Sequence, residues 1–179
     1  MTDSYTPYHP SRVFKYCPYC GMPDFLWQGE KSFRCNSCGS KLYINEAAAV
    51  VAIIENPQGE LLLTRRKKDP CKGMLDLPGG FVDIGERAED ALRRELMEEL
   101  NLVAEELSYW GSYPNRYVYG GLLYFTLDMV FLCSVKDLSG IIPMDDVEDY
   151  LMMPVEELNI SEVGLESVKN ILLDYTQNR

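Results

Sequence analysis

The sequence predicts a mixed α/β (α+β) protein with a small metal-binding unit ahead of the main domain. Three observations carry that expectation. Apolar β-branched runs interleave with two stretches of helical periodicity, and four of the six cysteines are confined to residues 17–38. The 179 residues are also 46% hydrophobic, enough for one well-packed core plus an appendage.

Residues 1–12 are polar, carry two prolines, and read as a flexible tail in which the single histidine, His9, is a solvated side chain. Residues 13–44 form the cysteine-rich unit and residues 45–179 the main domain. The texture changes at Ala47. There "AAAVVAIIE" reads as a buried strand, "NPQG" as a turn, and "ELLLTRR" as the hairpin partner. The glycine-rich loop "CKGMLDLPGGFVDIGE" precedes a helix from about Arg87 to Leu100. "LSYWGSYPNRYVYGG" and "LLYFTLDMVFLCSV" are aromatic-rich strands separated by a glycine pair. The acidic loop "PMDDVED" leads into a short strand, "YLMM", and "PVEEL" turns the chain. Val163, Leu165, Val168, Leu172 and Tyr175 then recur at the spacing of an amphipathic helix capped by Ser161.

Charge narrows the function classes. Asp and Glu total 28 against 17 Lys and Arg, a net charge of -11. That balance points away from a nucleic-acid scaffold, which needs positive surface. An anionic small molecule stays compatible, provided a cation accompanies it. The start "MTDSYTPYHPSRVFKYC" has no apolar run of signal-peptide type, and no segment approaches the ~20 apolar residues of a membrane span. The expectation is a soluble, cytoplasmic protein with neither a membrane nor a nucleic acid as partner.

"CPYCG" (Cys17, Cys20) and "CNSCG" (Cys35, Cys38) are two knuckles one hairpin apart. A CxxC turn lets two thiolates share one centre, and two such turns close a tetrahedron suited to Zn²⁺. Two disulfides or a redox pair are the competing readings, disfavoured by the doubling in a cytosolic chain. The intervening "GMPDFLWQGEKSFR" is too short for a core of its own, so the metal is structural. Cys71 and Cys133 fall outside the pattern.

On a helical wheel Ala88, Leu92, Leu96 and Leu100 form one apolar stripe, with Glu95, Glu98 and Glu99 gathered beside it. Arg87, Arg93 and Arg94 share the helix, so the wheel alone fits a solvated, ion-paired face equally well. It also fits hard oxygen ligands collected for Mg²⁺ or Mn²⁺.

The preceding residues decide between the two. Gly80, Glu86, Arg94, Glu95, Glu98 and Glu99 fit the Nudix box, GX5EX7REUXEEXGU, with Gly79 completing the glycine turn. The sequence resembles a Nudix hydrolase over roughly residues 46–176, and the added ribbon is similar to the NADH pyrophosphatase branch. Asn101 replaces the final box glycine. It falls just past the helix end, where a left-handed residue is required and asparagine is the next-best choice.

The resemblance implies an α/β/α sandwich with a mixed sheet. It also implies hydrolysis of a nucleoside diphosphate linked to another group, of ADP-ribose or dinucleotide type. Glu95, Glu98, Glu99 and the Gly80 carbonyl would hold Mg²⁺ or Mn²⁺, with Arg94 orienting a carboxylate. The general base is then Glu95 or a late-loop acid from Asp145, Asp146 and Glu148. The Ser-Gln-Pro-Trp array of the NADH branch is missing; "GSYPNRYVYGG" stands there. Tyr113, Tyr117 and Tyr119 could stack a base, although ordinary strand aromatics explain them more simply. Arg65 and Arg116 are candidates for phosphate contacts. A nucleotide-sensing module and a nucleoside triphosphate house-cleaning enzyme are the alternatives, and the resemblance is compatible with a homodimer.

Overall fold

The structure is a computed structural model that describes residues 6–179. By contacts the chain divides into two units. One comprises the chain up to Glu46 together with Arg116–Phe125; the other comprises Ala47–Asn115 and Thr126–Arg179.

In the first unit a 3-10 turn, Thr6–Tyr8, leads into the one-turn helix α1, Pro10–Val13. The expected tail thus includes these two short elements, and its residues 1–5 lie outside the described residues. His9 is not a solvated side chain. Its Nδ1 accepts the Ser11 N–H at 3.2 Å and caps α1, which begins with the proline favoured there. The half-buried His9 ring sits edge-on to Trp27 and Phe125, with centroids 5.2 and 5.9 Å away.

Strands β1 (Phe25–Trp27), β2 (Ser32–Cys35) and β3 (Lys41–Tyr43) form an antiparallel sheet. Its inner face packs Phe25 flat on Phe33 at 4.7 Å and Trp27 edge-on at 4.8 Å. With Cys17 and Cys35 these rings make a core of very few side chains.

In the second unit the strand β4 (Ala47–Ile53) explains the architecture. Side chains alternate faces along a strand. Val50, Ala52 and Ile54 therefore enter one core with Leu92, Leu96 and Leu100 of α2 (Ala88–Leu100). Val51 and Ile53 enter a second core with Val168, Ile171 and Leu172 of the C-terminal helix, α3 (Glu166–Asn178). A sheet covered on both faces is the helix–sheet–helix sandwich expected.

The remaining strands are β5 (Glu60–Arg66), β6 (Leu75–Asp76), β7 (Gly79–Phe81), β8 (Ala104–Tyr119), β9 (Leu122–Val135) and β10 (Val147–Pro154). One sheet runs β7-β4-β9-β8 and the other β10-β5-β6. Pairing is mixed: β4 runs parallel to β9 and antiparallel to β7.

Two local expectations are corrected. β4 and β5 do not form a continuous hairpin. The chain reverses at Asn56–Glu60 and pairs once, Glu55 with Leu61, before the strands part into different sheets. Each strand finds a longer partner elsewhere, β9 for β4 and β10 for β5. The last helix begins at Glu166, not at Ser161, which lies in a separate 3-10 turn, Ile160–Glu162. Val163 pairs with Leu75, and Gly164 donates its N–H to the Leu75 carbonyl at 2.9 Å. Those bonds hold the backbone extended just where the helix would otherwise have continued.

Candidate active site

Helix α2 ends as its sequence requires. Asn101 takes the left-handed conformation (φ 56°, ψ 35°), and its N–H returns to the Met97 carbonyl at 3.1 Å. Asn101→Gly should leave stability within about 0.5 kcal/mol, whereas the β-branched Asn101→Val should cost about 1–2 kcal/mol. Equal denaturation midpoints for the two variants would contradict the left-handed requirement.

The two glycines before the helix are needed for different reasons. A Cβ on Gly79, whose φ is 149°, would lie 2.1 Å from the Val50 carbonyl oxygen. A Cβ on Gly80 would lie 2.4 Å from Cδ of Glu95. The first obstacle is backbone and the second the end of a flexible side chain. Gly79→Ala should therefore destabilise the fold by about 2–3 kcal/mol. Gly80→Ala should keep the fold, displace the Glu95 carboxylate and cut activity. Chemical denaturation and turnover together separate the two outcomes.

Arg94 organises the acids on the solvent side of the helix. Its Nη2 donates to Glu86 Oε2 at 2.8 Å and to the Phe81 carbonyl at 3.0 Å. Its Nη1 reaches Glu95 at 2.8 Å and Glu98 at 3.2 Å. Glu86 also accepts the Asp83 N–H at 3.0 Å, fixing the loop into the helix. The Arg94 bonds hold the Glu86 carboxyl below its ordinary range. Burial raises Glu95, with Arg94 opposing and Glu98 and Asp145 adding to the rise.

Glu99 is set apart. It is 9% exposed, accepts the Gly79 N–H at 3.1 Å, and among the described residues pairs with no lysine or arginine. Burial pushes its carboxyl up to about 8; the Gly79 N–H opposes this, and the charges of Glu95, Asp76 and Asp146 add to it. Glu95 and Glu98 share Arg94, whereas Glu99 has a backbone donor instead. The three carboxylates do not converge into one tight cluster of ligand atoms: among the described residues only the cysteines do so.

The late loop is tied to this helix end. Met144 N–H donates to the Glu99 carbonyl at 2.8 Å and Ile142 N–H to the Leu100 carbonyl at 3.1 Å, using acceptors the helix leaves open. Lys68 pairs with Asp146 and, at 3.6 Å, with Asp145. Glu148, two residues beyond Asp146, is exposed at the irregular start of β10.

Arg65 donates to the Gly73 carbonyl at 2.7 Å and so braces its own loop. Tyr113 donates to Asp174 of α3. Arg116, Tyr117 and Tyr119 belong to the first unit, whereas the box residues belong to the second. Sequence reasoning missed Lys68 and the buried Asp76, which pairs with Arg66 and whose charge reaches Glu99. The basic run "TRRKKD" was the available signal for both cations.

In the first unit the knuckles are built alike. Gly21 donates to the Cys17 carbonyl at 2.8 Å and Gly39 to the Cys35 carbonyl at 2.9 Å. All four Sγ atoms lie within 4.8 Å of one another, with no disulfide; Cys17–Cys38 and Cys20–Cys35 are 3.8 and 3.7 Å apart. Tetrahedral Zn–S bonds of about 2.3 Å place sulfurs about 3.8 Å apart, so the donor set and its spacing fit zinc. Around Glu95, Glu98 and Glu99 every donor is a hard oxygen, which fits Mg²⁺ or Mn²⁺ in kind.

No helix among the described residues is long and apolar enough to cross a membrane. An ADP-ribose pyrophosphatase of Methanocaldococcus jannaschii is 42% identical over 94 residues, covering 50% of this chain and 55% of that protein. The NAD-capped RNA hydrolase NudC of Vibrio cholerae is 27% identical over 120 residues, covering 67% of this chain and 44% of that protein. The chain thus spans about half the length of the curated relatives it matches. A crystal structure of a Nudix hydrolase from Nitrosomonas europaea superposes with a TM-score of 0.71 at 22% identity, covering 93% of this chain and 92% of that one, a likeness of fold. The family model of the NUDIX domain matches residues 45–172, and with the box geometry this places the chain in the Nudix family.

Proposed function

We propose that the chain hydrolyses the pyrophosphate linkage of a nucleoside diphosphate joined to another group, of ADP-ribose or dinucleotide type. The observation that carries this reading is Glu99, a buried carboxylate beside Glu95 that no lysine or arginine neutralises. A buried acid of this kind costs stability unless a cation completes the site. Glu95, Glu98, Glu99 and the Gly80 carbonyl are the groups to hold Mg²⁺ or Mn²⁺. Such an ion, when bound, supplies charge neutralisation toward the diphosphate and Lewis acidity at phosphorus. Arg94 keeps Glu95 and Glu98 in place. For the base role the candidates are Glu95 and the late-loop acids Asp145, Asp146 and Glu148. The four cysteines are the groups to hold a structural Zn²⁺, closed by protein ligands and without catalytic part.

The test is a substrate panel with Mg²⁺: ADP-ribose, NADH, FAD, dinucleoside polyphosphates and nucleoside triphosphates, read by mononucleotide release. Mononucleotide from ADP-ribose or a dinucleotide is the expected result. Pyrophosphate from nucleoside triphosphates alone would replace this reading with house-cleaning. No turnover with Mg²⁺ or Mn²⁺ would replace it with a sensing module.

A further inference from the structure

The chain-wide charge of -11 is an average over two unlike units. The first unit carries six Lys and Arg (Arg12, Lys15, Lys31, Arg34, Lys41, Arg116) against four Asp and Glu (Asp3, Asp24, Glu30, Glu46), a net of +2. The rest holds 11 against 24, or -13. Net negative charge therefore weighs against nucleic acid on the second unit only.

Register shows where the positive charge is displayed. Directly opposed residues of an antiparallel sheet share a face. Leu26 opposes Arg34, and Arg34 opposes Lys41. One step along the same face, Ser32 opposes Tyr43. The other face is the aromatic core of Phe25, Phe33 and Trp27. The outer face thus presents Arg34 and Lys41 side by side, flanked by Tyr43 and Leu26, which are 54% and 47% exposed. Its opposed pairs include no acid, and among the described residues neither Arg34 nor Lys41 makes an ion pair. Two unpaired cations beside an exposed tyrosine on one sheet face match a single-stranded nucleic acid, with phosphates on the cations and a base on the ring.

We propose that the outer face of the ribbon sheet binds a single-stranded nucleic acid chain through Arg34, Lys41 and Tyr43. This surface stands independently of the hydrolase reading. Charge complementarity selects the occupant: a polyanion is what two adjacent cations in an otherwise acidic chain attract, and Tyr43 adds a stacking platform of no use to phosphate alone.

The test uses the full chain with its zinc and a labelled single-stranded oligouridine, followed by fluorescence anisotropy. Two phosphate contacts predict a log–log salt slope of about -1.4, or about sevenfold weaker binding between roughly 50 and 200 mM salt. Arg34→Glu with Lys41→Glu should abolish binding, and Tyr43→Ala should weaken it about tenfold. Zinc content and turnover of a small nucleotide substrate should stay unchanged in these variants. Arg34→Gln with Lys41→Gln repeats the test should charge reversal disturb the sheet. No binding at low salt, or equal binding by both charge variants and the parent, would overturn the proposal. A parent dimer that dissociates in the charge variants without binding oligouridine would overturn it too, assigning the face to a second copy of the chain.

Discussion

Glu99→Gln should lower turnover by about 10³-fold while leaving the chain folded. The amide is isosteric with the carboxylate, and its oxygen can still accept the Gly79 N–H that Glu99 accepts at 3.1 Å. What disappears is the negative charge. The metal-free protein should show the opposite sign in stability. Burial, chiefly, lifts the Glu99 carboxyl to about 8 in the folded state, well above an unfolded glutamate. The folded state therefore binds more protons than the unfolded one between about pH 4.5 and 8, and stability falls as pH rises through that window. Glu99→Gln removes that loss and should gain on the order of 3 kcal/mol at pH 8 over the parent, both without metal. Burial also raises Asp76 and Glu95. Both remain in the variant, so the difference between the two proteins isolates Glu99. Chemical denaturation at pH 5 and pH 8, beside a turnover assay, reads both effects. Unchanged turnover would remove Glu99 from the site.

Cys35→Ser should unfold the ribbon and leave the second unit standing. Cys35 is fully buried, and the core around it is Cys17, Phe25 and Phe33 with the partly buried Phe14, Trp27, Leu42 and Ile44 packed against them. Each large core side chain contributes only about 1.5–3 kcal/mol by burial, short of the ordering entropy of some 30 residues. Structural zinc supplies about 10–16 kcal/mol in comparable small units. A chelator able to extract zinc should reproduce the mutant. The parent should yield one zinc per chain by metal analysis, and Trp27 emission should shift red on its removal. Helical ellipticity from α2 and α3 should persist. An unmoved Trp27 signal in a zinc-free Cys35→Ser protein would show that the ribbon folds by its aromatic core alone.

The legible parts of this chain were those governed by near neighbours in sequence. The stripe of Leu92, Leu96 and Leu100 could be read directly, because i,i+4 spacing is local. So could the two CxxC knuckles. Gly79 and Gly80, expected as a turn, lie instead in strand β7, paired with Val51 and Val50. Non-local choices were not legible. The Glu55–Leu61 turn looks like a hairpin, but whether β4 and β5 stay paired depends on the competing ladders of β9 and β10. Spacing alone starts α3 too early, because Val163 is held by Leu75, some 90 positions before it in the chain. His9 gave no sign of capping α1, since its ring is fixed by Trp27 and Phe125 from distant segments. At the site, the acids themselves were readable. The division between Glu95 and Glu98 on Arg94 and Glu99 on Gly79 was not, because it depends on where the β7 backbone lies.

A hard dication among the box acids is what would let them tolerate one another. Electron paramagnetic resonance of Mn²⁺ added to the zinc-loaded protein tests it most directly. At least one Mn²⁺ should be held per chain, competed by Mg²⁺, tighter as pH rises toward 8, and weakened at least tenfold in Glu99→Gln. Free Mn²⁺ signal undiminished by the protein at every concentration and pH, in parent and variant alike, would contradict it.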